Sequence, residues 1–397
     1  MSPLHLYDDA RARTFEPFAL TRPAGELRAG ALLVRQRWEQ ALALTAAGFV
    51  GAPHLASFEE LDAPAASTDV LPARAIVANA RFAPALAVAD PDADVWACDG
   101  RVAAVRLREA LPVDRLADGT LELEALADPQ ARTAPIRGWW MQEVWDYVGQ
   151  LTTMLADDLP VIGPTLQPMY HGATVLGTHP VFVEAGAHVE PYVVLDASAG
   201  AIVIRREATV QAFTRVVGPC YVGQASLVTA DKIAACAIGE VARVHGEIST
   251  SIVLGHSNKA HDGFVGHSYL GRWVNLGAGT TTSNLKNTYG TVALWTPAGV
   301  RDTGLQFLGT LFGDHAKTGI GLQLNTGTVL GAGANVYDRM PPKAVAPFAW
   351  GGAAPYDTYD VDKFVDVAAR AMARRQVTLG ARGAAQLRAA HARGTGR

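Results

Sequence analysis

The sequence predicts an α/β N-terminal domain followed by a parallel β-helix and a helical tail. Three observations carry this. Before about residue 160, short apolar runs alternate with helical spacing, the pattern of an α/β domain. Between 161 and 355 charge thins, and aliphatic residues recur six apart: Val183 and Val189, Val222 and Val228, Leu270 and Leu276, then Leu324, Leu330 and Val336. A period of six is the hexapeptide signature of a β-helix. From 356 to 397 helical spacing returns at Tyr359, Phe364, Val367 and Ala371. The expected segments are therefore 1–160, 161–355 and 356–397.

His5–Tyr7 reads as a short strand stopped by Asp8-Asp9. In Phe18–Leu42, the residues Leu27, Leu32 or Leu33, Trp38 and Leu42 fall at helical spacing, with Pro23 near the expected helix start. Ala75–Ala78 reads as a buried strand ending at Asn79. Val95–Leu107 reads as a hairpin, because Asp99-Gly100 is a two-residue turn signal between apolar runs. Trp139–Leu155 has amphipathic helix spacing. In the β-helix each hexad supplies a strand and a turn, and three hexads close a triangular coil. The aliphatic side chain points inward, and Gly or Asn takes the positive-φ corner. Breaks near 196–216 and 284–306 predict loops. The terminal helix is expected to cap the open end of the coil.

Composition excludes several classes. With 397 residues, 49% apolar and 18% charged, the chain can build a large core and is not globally disordered. A net charge of −4 without a basic block argues against nucleic acid as a partner. The tail ARGAAQLRAAHARGTGR reads as a solvated helix end. Cys98, Cys220 and Cys236 form no CxxC pair, which excludes a cysteine zinc site and a disulfide framework. No apolar run of about 18 residues predicts a membrane span, and the N-terminus lacks a signal-peptide pattern. The expectation is a cytoplasmic protein with no membrane partner.

The stretch 259–289, KAHDGFVGHSYLGRWVNLGAGTTTSNLKNTY, interrupts the hexad rhythm with histidines and amides. An imidazole titrates where a general base is useful. His256, His261 and His267 also leave a metal site open, and any of them can be a structural corner residue. Asn275 and Asn284 fit hydroxyl recognition and equally fit left-handed corners. In FGDHAKTGIG, Asp314, His315 and Lys317 sit together on what reads as a break in the coil, where Lys317 can meet a phosphate or the cluster can be a self-satisfied turn. In TRPAGELRAG, Arg22 and Arg28 flank Gly25 and precede a helix. They fit phosphate binding or an ion-pair cluster with Glu26. Asp8, Asp9 and Asp99 lie near strand ends, where carboxylates for Mg²⁺ would be expected.

The segment GHSNKAHDGFVGHSYLGRWVNLGAGTTTSNLKN resembles the acetyltransferase half of bacterial bifunctional N-acetylglucosamine-1-phosphate uridyltransferases. The chain is more similar to an alternative branch of that family. Leu20–Trp38 carries its LTRPxxELRxGxxxxRxRW segment, 258–290 its NKAHDGF…NLGAGTTTSNLKN segment, and 312–321 its GDHxKTGIG segment. The resemblance implies a sugar nucleotidyltransferase-like domain followed by a left-handed parallel β-helix. It implies acetyl transfer from acetyl-CoA to glucosamine 1-phosphate, then uridylyl transfer from UTP, or another NTP, with Mg²⁺. The partners implied are small sugar phosphates and nucleotides, in a homotrimer. By the same resemblance His261 is the acetyl-transfer base and Lys259 precedes it in the motif. Asn275 and Asn284 contact sugar, and the Ala278 backbone approaches the thioester. Asn79 and Arg81 fall where the branch contacts nucleotide or sugar. The chain departs from the family at Phe264 and Leu285, where tyrosines are usual, and at Gly290, where a lysine is usual. Lys286 and Tyr289 are the nearest replacements. The Gly-x-Gly-Thr-Arg-Met loop of standard nucleotidyltransferases is missing. Two alternatives remain: a nucleotidyltransferase for another sugar 1-phosphate whose β-helix only trimerises, and a non-catalytic sugar-nucleotide-binding scaffold.

Overall fold

The structure, a computed structural model, describes residues 2–169, 172–229 and 231–396. The chain forms two compact units: Met1–Val144 together with Leu379–Arg397, and Trp145–Thr378.

The first unit is built on a six-stranded sheet in the order Thr133–Pro135, Val95–Cys98, Arg101–Arg106, Ile76–Asn79, Leu4–Tyr7 and Ala46–Val50. Leu4–Tyr7 lies parallel to both of its neighbours. All four of its residues are buried, as suits a central strand covered on both faces. Its carboxyl end delivers Asp8 and Asp9, and the next strand delivers Asn79 and Arg81 at the same sheet edge. The Asp99-Gly100 turn has φ of 52° and 78°, the double positive-φ geometry that a tight hairpin needs.

Two local expectations are corrected. The helix in Phe18–Leu42 begins only at Val34 and runs to Leu42. Before it, Arg28–Ala29 and Leu32–Leu33 pair as a small antiparallel hairpin. Gly30, at φ 63°, turns that hairpin, so the spacing of Leu27, Leu32 and Leu33 reflects burial of extended chain and not helix. Trp139–Leu155 is likewise not one helix. Gly138–Trp140 pairs antiparallel with Phe82–Pro84, and the helices are Asp146–Gly149 and Leu151–Ile162. A Cβ on Gly138 would lie 2.5 Å from the Ala83 carbonyl, so this strand contact needs glycine.

The second unit is a parallel β-helix. Ile202 pairs with Cys220 and Leu311 with Val329, each eighteen residues on, which is three hexads. Val183, Val222, Val228, Leu270, Leu276, Leu324, Leu330 and Val336 all lie in its core, with Val189 packed against it. Cys220 and Cys236 are buried there as free thiols. On the outer side of one wall, Val203, Tyr221 and Tyr269 are also buried. The helix Leu151–Ile162 packs along the strands carrying Val203 and Tyr221, and Tyr147 meets Tyr269 at 5.9 Å.

The corners differ in chemistry. One column holds Gly246, Gly263, Gly279 and Gly321, all at positive φ. Another holds His256, Trp273, His315 and Phe348 at φ of 57–64°, where glycine or asparagine is expected. Stacking between coils offsets the strain there: the His256 and Trp273 rings lie 4.7 Å apart and Trp273 and His315 6.3 Å. In the glycine column Gly263 has the least room. It sits at φ +114°, and an added Cβ would lie 2.1 Å from the Thr280 carbonyl. Gly263→Ala is expected to destabilise the β-helix by on the order of 1–3 kcal/mol, read as a lower midpoint in thermal unfolding.

The expected breaks resolve differently. Residues 196–216 include the ordinary coil strands Ile202–Ile204 and Thr209–Val210. The second break is a true insertion, since Tyr269 pairs with Leu311, forty-two residues on. Its neck closes where Leu308 N–H donates to Asn284 O at 2.9 Å, and it carries the hairpin Ala293–Thr296 and Gly299–Asp302. FGDHAKTGIG is not a break. Thr310–Phe312 and Lys317–Thr318 are regular coil strands on either side of the His315 corner.

The tail is two helices, not one. Val361–Ala373 is capped by the Asp360 side chain, which accepts from Lys363 N–H at 3.0 Å. Its Phe364 packs on Phe348 and His315 of the β-helix. Ala381–Thr395 belongs to the first unit, where Gln386 donates to Thr21 O at 3.0 Å and Gly383 N–H to Glu59 at 3.2 Å.

Candidate active site

In the first unit the charged residues at the sheet edge are locked to one another. Asp9 receives Arg81 Nη2 at 2.6 Å, Asn79 Nδ2 at 2.9 Å and Ala12 N–H at 2.9 Å. Burial alone would raise the Asp9 pKa. The Arg81 guanidinium, with Asn79 and Ala12, outweighs it and holds the carboxyl below its usual value. Asp8 is buried and accepts from Ala24 N–H at 3.2 Å with both oxygens. Burial pushes it up to about 7. Asp99 sits on the hairpin turn.

Of the expected nucleotide-binding residues, Asn79 and Arg81 are thus brought together, with Asp9 between them. Arg22 is buried and pairs with Glu60 at 2.9 Å. Arg28 is buried and donates to Ala31 O. Glu26 pairs with Arg35 at 2.5 Å. Among the described residues Asp8, Asp9 and Asp99 do not converge as metal ligands; the one group of three that does is Asp231, His245 and Asp262 in the β-helix. The trio expected to hold Mg²⁺ therefore does not fit that ion, because one carboxylate is occupied by arginine, one is bound to a backbone amide and the three do not converge on one centre.

In the second unit His261 occupies the corner that follows the strand Asn258–Lys259. The imidazole is exposed and makes no hydrogen bond among the described residues. Lys259 sits beneath it. Its ammonium donates to His245 O at 2.9 Å and also to His261 O. Burial lowers Lys259 to about 8, against the pull of Asp262 and Asp231. His245 joins this group through Asp262 at 2.9 Å and Thr229 Oγ1 at 3.1 Å. The sequence reading missed Asp231, His245 and Asp262. They come from three successive coils, and only the stacked register brings them together.

Ala278 lies on the coil stacked against His261. Gly279 N–H donates to Asp262 O at 3.1 Å, and Ala278 O accepts from Gly321 at 2.7 Å. The Ala278 N–H donates to no described residue. Ile320 completes the corner on the next coil and is 80% exposed.

Asn284 stands at the neck of the insertion. Its Nδ2 lies 2.8 Å from His267 Nδ1, and the His267 ring stacks on Phe307. Burial lowers the His267 pKa. Asn284 and Phe264 both crowd Gly266, where an added Cβ would lie within 2.6 Å of each. Phe264 thus fills space beside the amide. Lys286 is held within its own loop, donating to Thr291 O at 3.0 Å, and Tyr289 is exposed.

Asn275 and Lys317 lie on the face before that corner. Asn258 Nδ2 donates to Asn275 Oδ1 at 3.0 Å, and Asn275 bridges to Lys317 in the next coil. Lys317 donates to His315 O at 3.2 Å, and burial lowers it to about 8. His256 lies 3.3 Å from Arg272, and Asp314 accepts from Arg272 N–H at 2.7 Å. His256, His261 and His267 occupy three different places and form no metal centre.

Comparison with known proteins draws the first boundary later than the compact units do, at residue 164 and not 144. Residues 4–164 match the family model described as sugar nucleotidyl transferase. A bifunctional protein GlmU of Desulfitobacterium hafniense is 31% identical over 206 residues, 45% of this chain and 42% of the relative. A bifunctional sugar-1-phosphate nucleotidylyltransferase/acetyltransferase of Sulfurisphaera tokodaii is 32% identical over 91 residues, 23% of each chain. The chain thus spans less than half the length of these curated relatives. A hexapeptide transferase family protein of Anaplasma phagocytophilum aligns with 50% of this chain and 90% of its own, at 12% identity and a TM-score of 0.27, too low to support an argument. No helix among the described residues is long and apolar enough to cross a membrane. The chain therefore joins a sugar nucleotidyltransferase-like domain, in residues 4–164, to a hexapeptide-repeat parallel β-helix.

Proposed function

We propose that this protein is a bifunctional transferase that makes UDP-N-acetylglucosamine. The β-helix unit moves the acetyl group of acetyl-CoA to the amine of glucosamine 1-phosphate. The N-terminal unit then joins N-acetylglucosamine 1-phosphate to a uridylyl group from UTP, releasing pyrophosphate. The observation that carries the first step is the pairing of His261 with Ala278 on stacked corners. An imidazole with no competing hydrogen bond can take the proton that the ammonium must lose. A backbone N–H with no partner can hold the negative charge that develops on the thioester oxygen. The buried Lys259 ammonium and the Asp231–His245–Asp262 group set the charge around that corner. Exposed Ile320, on the coil after Ala278, suits cover by a second copy, in keeping with a homotrimer whose sites lie between subunits. For the second step the support is the family match of residues 4–164 and the place of Asn79 and Arg81 at the carboxyl ends of parallel strands, where α/β sheets bind ligands.

Two assays test the reading. Acetyl-CoA with glucosamine 1-phosphate should release free thiol, and UTP with N-acetylglucosamine 1-phosphate should release pyrophosphate. Absence of thiol release with any amino-sugar phosphate would refute the acetyl-transfer step. Thiol release without pyrophosphate would confine the activity to the β-helix.

A further inference from the structure

A cleft of about 270 Å³ lies within the second unit, between the face that carries Asn258, Asn275 and Lys317 and the helix Val361–Ala373 with the turn that follows it. Arg370, Arg374 and Arg375 line its far side, and no carboxylate lines it. None of these four cations pairs with a carboxylate among the described residues.

The polar groups in the cleft are committed in one direction. Asn275 Oδ1 already accepts from Asn258 Nδ2, and Asn258 Oδ1 faces Arg375 Nη2 at 3.5 Å. What remains available is donors: the Asn275 amide N–H groups, the arginine forks and the lysine ammonium. Arg375 Nε is buried without a partner. Burial, with Arg243 and Arg374 nearby, lowers the Arg375 pKa, so the cluster repels itself in the unliganded protein.

A solvated helix end explains part of this. Cations near a helix C-terminus are favoured by its dipole, which accounts for Arg370 and Arg374. It does not account for a buried arginine nitrogen without an acceptor. Nor does it account for Lys317, which belongs to a coil strand between Asn275 and Asn335. Four cations and a set of donors require an acceptor-only ligand with more than one negative charge.

We propose that this cleft binds the phosphate groups of a small phosphorylated molecule, with a charge like that of a diphosphate. Arg374 and Arg375 would grip it by charge-assisted bonds, with Lys317 and Asn275 on the opposite wall. This does not depend on the acetyl-transfer reading, because it rests on the cleft alone. Two sources carry the same chemistry: the nucleotide end of an acyl donor, and a nucleotide sugar.

The test is calorimetric titration of the full-length protein with three probes: inorganic pyrophosphate, coenzyme A and UDP-N-acetylglucosamine. Pyrophosphate is expected to bind, and Arg374→Gln/Arg375→Gln to weaken it at least tenfold. Lys317→Met, on the other wall, is expected to weaken it independently, with circular dichroism confirming that both variants fold. If coenzyme A competes with pyrophosphate and loses affinity in the double variant, the acyl donor is the source. If UDP-N-acetylglucosamine does so instead, a nucleotide sugar is. Failure of all three probes to bind at millimolar concentration, or affinities that the variants leave unchanged, would overturn the proposal.

Discussion

His261→Ala is expected to lower the turnover of acetyl transfer by about 10²–10⁴-fold, the usual worth of a positioned general base, while leaving the fold intact. The ring is exposed and unbonded, so its removal costs no packing and no buried hydrogen bond. His261→Gln should lose as much, because an amide keeps the size and polarity but cannot take a proton. Thiol release at saturating substrate measures the effect, and thermal unfolding checks the fold. The loss should fall on turnover more than on KM, since proton transfer occurs in the transition state. A loss of only a few-fold would mean that the amine loses its proton elsewhere, with His245, held by Asp262, the next base to test.

Asp9→Ala is expected to destabilise the first unit by about 3–5 kcal/mol, the usual cost of breaking a buried ion pair from one side. Asp9 is 6% exposed and Arg81 2%, and Arg81 directs both Nε and Nη2 at the carboxylate. Without it the guanidinium is a buried charge left with the Met141 carbonyl, Gln142 and the Trp140 ring, none of them an anion. Denaturant unfolding at neutral pH measures the change. The double variant Asp9→Leu/Arg81→Met should recover much of it, because no unpaired charge remains. The pH dependence has a definite sign. The folded-state pKa of Asp9 lies below its ordinary value, so its stabilisation is complete above about pH 4 and is lost as the pH falls through the folded value. The acid limb of the stability profile should flatten in the variant. If Asp9 served chiefly as a metal ligand, its removal would relieve charge repulsion and the metal-free protein would become more stable.

The sequence carried the β-helix well, because a residue that must point inward once per hexad leaves a mark no other fold makes. It carried the Asp99-Gly100 hairpin for a similar reason, since both turn residues need positive φ. It misjudged Leu27–Leu33, where two short strands around Gly30 place apolar residues at helix-like intervals. In the candidate site, His261 and Ala278 were named through motif resemblance, and the coil register stacks them. Asp231, His245 and Asp262 were not, because their nearness depends on how many residues each coil takes. The arginines of TRPAGELRAG show what a written motif leaves out: Arg22 pairs with Glu60 and Arg28 donates to Ala31 O, partners that the segment's spacing does not announce.

The division of the tail between the two units bears on how the protein is made. The first unit contains Ala381–Thr395, whose Leu387 and Ala390 are buried and whose Gln386 holds the Thr21 carbonyl. A nascent chain emerges from its N-terminus onward, at about 5–20 residues per second. The β-helix, coded between the two pieces, can wind one coil at a time as it is synthesised. The unit that starts first cannot be finished until Ala381–Thr395 has left the ribosome. The segments around Thr21, Pro53–Leu55 and Glu59 must wait for their helix for roughly 10–50 seconds at that synthesis rate. Chaperone dependence during synthesis should therefore concentrate in the N-terminal unit and not in the β-helix.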